Sequence, residues 1–253
     1  EEDWMKYPVE NWLGMTWGDY VSSPKADYYI QSGVQWMGVF YALLAMLVLL
    51  YPRFKKLTNP LLWIATGMLF FLALCYLKVA FFSLGQLFEY TLQFSSFAFL
   101  IYAFKGYLLK ARFTFLLKIV IALTFTCHGL YAVGYYPVPG KFVQMVISIL
   151  GVNNEQAFLF LKTAAIMDFA VAIGIFLPGK WQVYFLGYAV FWGFSTSIAR
   201  IWSNFYIEMW QESISHWLPE TIFRFPHFLG PLAAIGIYFL KKEIKPAPKL
   251  EKG

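Results

Sequence analysis

Apolar residues in this chain do not alternate with polar ones; they run on. Seven stretches, at 29–51, 61–82, 87–108, 113–136, 157–177, 181–206 and 221–240, are dominated by aliphatic and aromatic residues. Each is about twenty residues long, the length an α-helix needs to cross roughly 30 Å of hydrocarbon. A transmembrane β-barrel would instead show alternating strands of about ten residues. The pattern predicts an all-α integral membrane protein with seven transmembrane helices. Pro52, Pro60, Pro137, Pro139, Pro178 and Pro219 punctuate the ends of these stretches, where a missing N–H costs least. Pro226 and Pro231 fall inside the last one, which predicts a kink there. No repeat of solenoid type is visible.

Two segments outside the spans are also patterned. Residues 1–28 are rich in aromatics, among them Trp4, Trp12, Trp17 and Tyr20. Trp and Tyr favour the membrane interface, so this segment is expected to lie on the outer face. Between the fourth and fifth spans, Lys141 to Ile147 is amphipathic and too short to cross. It is expected in the outer interface.

Charge orients the spans. Arg53, Lys55 and Lys56 follow the first; Lys110 and Arg112 follow the third; Lys180 follows the fifth; Lys241, Lys242, Lys245, Lys249 and Lys252 follow the last. Acidic residues collect on the other side: Glu1, Glu2, Asp3, Glu10 and Asp19 before the first span, and Glu208, Glu212 and Glu220 in the sixth connection. The positive-inside rule then places the N-terminus outside and the C-terminus in the cytoplasm. An odd number of spans satisfies that requirement. The organisation expected is an outer-face interfacial segment (1–28), a three-helix membrane part (29–112), a four-helix membrane part (113–240) and a basic cytoplasmic tail (241–253).

Composition agrees. The chain is 60% hydrophobic and 13% charged, against about 25% charged in a soluble domain. Its net charge of +6 sits in short connections and the tail, so it reads as topology and not as a nucleic-acid footprint. Cys75 and Cys127 both fall inside apolar stretches, outside any CxxC or metal-type spacing, and read as small buried hydrophobes. The sequence opens on Glu1 without a Met, which is expected of a processed chain or a start that is not the genetic one.

Ionisable residues inside the spans are the pointer to a working site, because a charge in hydrocarbon must face a bundle interior, a partner or a water-filled cavity. Four successive spans carry His128, Asp168, Arg200 and His227. With the orientation above, and about 1.5 Å of rise per residue, His128, Arg200 and His227 fall toward the outer end. Arg224, three residues before His227, shares its face. Lys78, Glu89 and Lys162 also fall toward that end and read as side chains that snorkel to the interface. Arg200 reads either as an anchor of the same kind or as a ligand-binding group. Asp168 is too short and too deep to snorkel; it pairs with a basic partner such as Arg200, Lys162 or His128, keeps its proton, or binds a ligand. The convergence on one leaflet favours a pocket entered from outside over a proton path through the membrane.

His128 and His227 at matching depth raise the option of a haem clamped between two helices, with Gly129 and Gly230 making room. That option ranks low, and no metal site is expected. The last span has no mid-span lysine to carry retinal. There is no phosphate-binding glycine loop and no nucleophile elbow.

The second half of the chain carries a further pattern. Cys127-His128-Gly129-Leu130-Tyr131-Ala132-Val133-Gly134 is followed by Pro137 and Phe142; Leu150-Gly151-Val152 precedes the fifth span; Asp168 sits on that span; His227, Gly230 and Pro231 mark the last. Over residues 113–240 this resembles the DoxX family of membrane proteins. Typical members have four spans, whereas here three more and a Trp-rich segment come first. The resemblance implies kinship with the DoxD-type subunit of thiosulfate:quinone oxidoreductase, with membrane partners of redox and thiol-stress enzymes, and with chaperones or cargo receptors.

The leading expectation is a multi-pass subunit of a quinone-linked redox complex in a bacterial inner membrane. His128 and Asp168 would accept protons from a quinol, while Arg200, His227, Arg224 and Lys78 bind the headgroup or an anion. Its partners are the lipid bilayer and other membrane or outer-face subunits, not nucleic acid. A non-enzymatic scaffold or assembly subunit is the alternative. A small-anion transporter ranks third, because inverted repeats and broken helices are not visible.

Overall fold

The structure is a computed structural model that describes residues 2–244. It is helical, with no strand among the described residues. Among the described residues six stretches are long and apolar enough to cross a membrane: Pro24–Leu49, Tyr51–Val79, Leu84–Tyr107, Ala111–Val133, Asn154–Gly174 and Ile207–Ile244. The protein is an all-helical, multi-pass membrane protein. Trp181–Trp202 has a similar length, 22 residues, but its Trp, Tyr, Gln, Ser and Thr residues dilute its hydropathy below that of the other six.

The chain divides into two compact units, Glu1–Phe82 and Ser83–Gly253. The second unit therefore includes the third apolar stretch. The third span thus folds with the helices that follow it, because its apolar face packs on them.

The first unit has four helices: α1 (Glu2–Trp12), α2 (Trp17–Val21), α3 (Pro24–Leu49) and α4 (Tyr51–Val79). The aromatic N-terminal segment is therefore largely helical. Thr16 caps α2 by accepting from the Asp19 N–H at 3.1 Å, and Ser23 caps α3 by accepting from the Ala26 N–H at 3.3 Å. Pro24 follows directly at the first helical position, where its fixed φ suits the helix. Arg53, Lys55 and Lys56, expected in a loop, lie in the first turns of α4. Pro52 is tolerated there because first-turn N–H groups have no intrahelical partner; the deviation is absorbed at Phe54, with φ −120° and ψ 22°.

The second unit comprises α5 (Leu84–Glu89), α6 (Thr91–Tyr102), α7 (Ala111–Val133), α8 (Gly140–Leu150), α9 (Asn154–Gly174), α10 (Trp181–Trp202), α11 (Trp210–Phe223) and α12 (Pro226–Ile244). A π-helical turn at Ala103–Tyr107 follows α6, with Gly106 at φ +80°; Gly reaches this left-handed region at no steric cost. The amphipathic segment predicted at 141–147 is α8, closed by Gly151 at φ +64°. Asn153 and Gln156 form a capping box that starts α9. The core is a cluster that includes Leu117, Ile121, Phe125, Val171, Leu186 and Ile237, on α7, α9, α10 and α12.

The predicted kink in the last span is a full break. A residue before proline is disfavoured in the α region, so Pro226 ends α11 at Phe223 and opens α12 itself. Pro231 lies inside α12 and cannot donate to the His227 carbonyl four residues before it. That carbonyl packs against α10 at Gly193. Of the tail predicted as basic, Lys241 and Lys242 belong to α12, and Lys241 donates to Thr114 Oγ1 at 2.6 Å. Lys245, Lys249 and Lys252 lie outside the described residues, as does Glu1.

A Cβ on Gly193 would meet the His227 carbonyl oxygen at 2.8 Å and its carbon at 2.9 Å. Both are backbone atoms and cannot step aside. Gly193→Ala should therefore destabilise the protein by about 1–3 kcal/mol, read as a lower unfolding temperature in detergent. Gly187→Ala on the same helix, where a Cβ has nothing within 4 Å, should be neutral or stabilising by up to about 1 kcal/mol.

Candidate functional site

The polar groups of the second unit gather where α5, the C-terminal part of α7 and the α11–α12 break meet. The Glu89 carboxylate lies at the centre and is 5% exposed. Its Oε1 accepts from His128 Nε2 at 3.2 Å and from Arg224 Nη2 at 3.3 Å, and its Oε2 accepts from Gln86 Nε2 at 3.2 Å. A buried carboxylate needs such partners, since desolvation costs several kcal/mol per ion. The chain supplies them from three directions: Gln86 and Glu89 share one face of α5, His128 descends on α7, and Arg224 hangs from the break before Pro226.

The His128 and His227 rings stack with centroids 4.9 Å apart and planes at 12°. His227 Nδ1 lies 3.0 Å from the Arg224 carbonyl oxygen, so the tautomer with the proton on Nδ1 donates there. With its Nε2–H donating to Glu89 Oε1, a neutral His128 keeps a lone pair on Nδ1.

A second ion pair ties the neighbouring helices. Arg200 Nη1 donates to Glu220 Oε2 at 3.0 Å, and Lys141 Nζ, on α8, reaches Glu220 Oε1 at 3.5 Å. Behind it, Thr221 Oγ1 donates to the Ser197 carbonyl at 3.2 Å.

Beside these groups is a cavity of about 430 Å³, within the usual size range of small-molecule sites. His128, Asp168, Arg200 and Arg224 reach it among aromatic and aliphatic walls that include Phe142 and Trp192. Asp168 is 2% exposed. Neither of its oxygens has a hydrogen-bond or ion-pair partner among the described residues, and Oδ1 is fully buried. Arg200 Nε and His227 Nε2 are likewise buried without partners. Buried polar groups are nearly always bonded, so an unpartnered carboxyl on a residue that lines the cavity is a candidate for contact with a ligand's polar group.

The structure thus brings together His128, Asp168, Arg200 and Arg224. Asp168 does not form the ion pair that was one of its three readings: Arg200 is engaged by Glu220 and His128 by Glu89, while Lys162 is exposed. Arg200 is buried and is not an interface anchor. His227, expected to touch ligand, is 1% exposed and supports His128 from behind instead of lining the cavity. Lys78, also expected there, belongs to the first unit, on the last turn of α4, with its ammonium 5.3 Å from the Phe82 ring centroid; the cavity belongs wholly to the second unit. Glu89, read from sequence as a snorkelling side chain, is the centre of the polar cluster. The available signal was its short reach, since a carboxylate has none of the long stem that lets lysine escape to the interface.

Haem does not fit between the histidines. Their rings stack face to face, with no gap for a macrocycle. Gly129 is filled in by the Phe169 ring, 2.8 Å from where its Cβ would stand, and Gly230 by Leu92 at 2.8 Å.

Comparison of the chain with family models, with curated proteins and with solved structures returns no match.

Removing one partner of a buried pair strands the other. Arg224→Ala should cost about 3–5 kcal/mol, and its effect on the unfolding temperature should change little between low and high salt, because buried pairs are weakly screened. Lys141→Ala, at an exposed bridge, should shift stability by no more than about 1 kcal/mol, and less as salt rises.

Proposed function

We propose that the protein is a membrane subunit of a quinone-linked redox complex that holds a quinol headgroup in the cavity beside Asp168. The observation that supports this most is the Asp168 carboxyl, buried and without a partner among the described residues, in a wall that is otherwise mostly apolar and aromatic. A quinol needs such a place. Its flat ring stacks on aromatic walls such as Phe142, Phe160, Phe191 and Trp192, its tail follows the aliphatic lining, and its two hydroxyls need acceptors.

Asp168 and His128 Nδ1 are those acceptors. On oxidation each quinol O–H bond breaks; one proton goes to His128, and the other is relayed by the Asp168 carboxyl, which is neutral without a partner and passes its own proton on as it accepts the quinol's. Two electrons leave to a redox centre in an outer-face partner subunit, and the ring oxygens become carbonyls. Glu89, bonded to His128 Nε2, stabilises the imidazolium that forms. Arg200 and Arg224 offer donors to the oxygens as charge develops on them. Reduction of a quinone runs the same steps backwards.

The same reading takes the threading as seven spans, with Trp181–Trp202 crossing alongside the six more apolar helices, the N-terminus outside, and the C-terminus in the cytoplasm of a bacterial cell. The alternation of basic and acidic connections supports it, and so does the gathering of polar groups near one end of α7, α10 and α12. Kinship with the DoxX family over residues 113–240 belongs to the same proposal, carried by the short motifs around His128, Gly151 and Asp168.

The purified protein should carry quinone that solvent extraction and mass spectrometry detect, and should quench its tryptophan fluorescence on adding a short-tailed quinol. Asp168→Asn and His128→Ala should each weaken that binding about tenfold or more, as expected for a lost hydrogen bond that leaves a buried group unsatisfied. A folded wild-type protein that neither carries nor binds a quinone would sink the proposal. A reporter active only in the cytoplasm, fused after Gly253, should be active; an inactive fusion of a stably inserted chain would reverse the orientation.

A further inference from the structure

At the other end of α7 from His128 lies a second, larger hollow that the quinol reading does not use. It measures about 680 Å³ and is formed by α6, the π-helical turn and the first half of α7. Ser95, Ala98, Phe99 and Tyr102 line one side, Phe113, Leu116 and Val120 the other, and Tyr107, Lys110 and Arg112 its end. The left-handed Gly106 turns the chain here, and the Tyr102 and Tyr107 rings come within 6.0 Å of each other. Phe99 and Phe113 meet edge to face at 5.4 Å.

The charge on this hollow has one sign. Lys110 and Arg112 both line it, no acidic residue does, and neither cation is ion-paired among the described residues. The whole connection from 103 to 112 adds Lys105 and no Asp or Glu. The walls belong to helices apolar enough to cross a membrane. An occupant must therefore offer a long apolar body to the aromatic walls and a negative group to the two cations at the end.

The geometry points to an anionic phospholipid bound in this groove, with an acyl chain between α6 and α7 and its phosphate held by Lys110 and Arg112. A small soluble anion would leave the apolar walls uncovered, and a zwitterionic lipid would bring a cation to a site with no carboxylate to meet it. Tyr102 and Tyr107 add hydroxyl donors at the depth where lipid headgroups and aromatic belts meet. Such a lipid would bind in either threading of the membrane, and with the cavity beside Asp168 empty or filled.

The test compares lipids of identical acyl chains on the full-length protein in detergent. Phosphatidylglycerol should be retained in native mass spectrometry, and should raise the unfolding temperature, at about tenfold lower concentration than phosphatidylcholine. That is the order expected when two basic side chains act on an anionic headgroup. The double variant Lys110→Gln/Arg112→Gln should lose this preference and still retain phosphatidylcholine as the wild type does. Ala98→Trp, which fills the groove and keeps both cations, should lose it as well, so a double variant that fails to fold does not decide the matter. Equal retention of the two lipids by the wild type would overturn the proposal. So would a preference that survives both variants, which would place it on the basic residues elsewhere. A stabilisation by inorganic phosphate equal to that by phosphatidylglycerol would overturn the lipid in favour of a simple anion. Quinone retention is a separate readout, and its loss or presence leaves these outcomes unchanged.

Discussion

A carboxylate withdrawn from water stays ionised only if the protein replaces its lost solvation. Glu89 meets that requirement with an imidazole, a guanidinium and an amide, each from a different part of the second unit. The constraint fixes more than one side chain. It sets the rotation of α7, because His128 must face α5. It sets the conformation of the α11–α12 break, because Arg224 must reach across to the same oxygen. It also sets the tautomer of His128, and with it which nitrogen keeps a lone pair.

Close backbone approach does the complementary work. Gly193 lets the first turn of α12 come up against α10, and the tight turn before Pro226 leaves the Arg224 carbonyl on His227 Nδ1. His227 is then buried and stacked on the His128 ring. Gly129 admits the Phe169 ring and so seats α9 on α7; Asp168, one residue before Phe169, is carried to the cavity by that contact. The polar site and the tight helix crossings are the same piece of construction seen from two sides.

Much of this was legible in the sequence. Continuous apolar runs announced the membrane helices. Of the residues that depth alone gathered toward one end, His128, Arg200 and Arg224 line one cavity together with the deeper Asp168, whereas His227, Lys78 and Lys162 do not. What pattern could not supply was partnership. Glu89 sits near the end of its apolar run, where position alone makes an interfacial side chain and a buried one look alike. Lys78 carries a similar positional label and lies in the other compact unit. Pro226 was visible as a disturbance, but whether a proline bends a helix or ends it depends on what the flanking carbonyls can bond to, and that is decided by α10. The glycines at 129 and 230 looked like space; their vacancies are filled by Phe169 and Leu92, which are remote in sequence.

The short helix α8 has a consequence of its own. It supplies Phe142, Met145, Val146, Ile149 and Leu150 to the cavity, and its one charged residue, Lys141, is held outside by Glu220. If the proposed quinol enters from the bilayer past this amphipathic helix, it exchanges lipid for protein, not water for protein. Its effective concentration is set by how strongly it partitions into the bilayer, and its competitor for the site is the ordinary acyl chain. Selectivity must then come almost entirely from Asp168, His128 and the two arginines, because the hydrophobic effect, already realised when the molecule enters the membrane, no longer distinguishes the site from its surroundings.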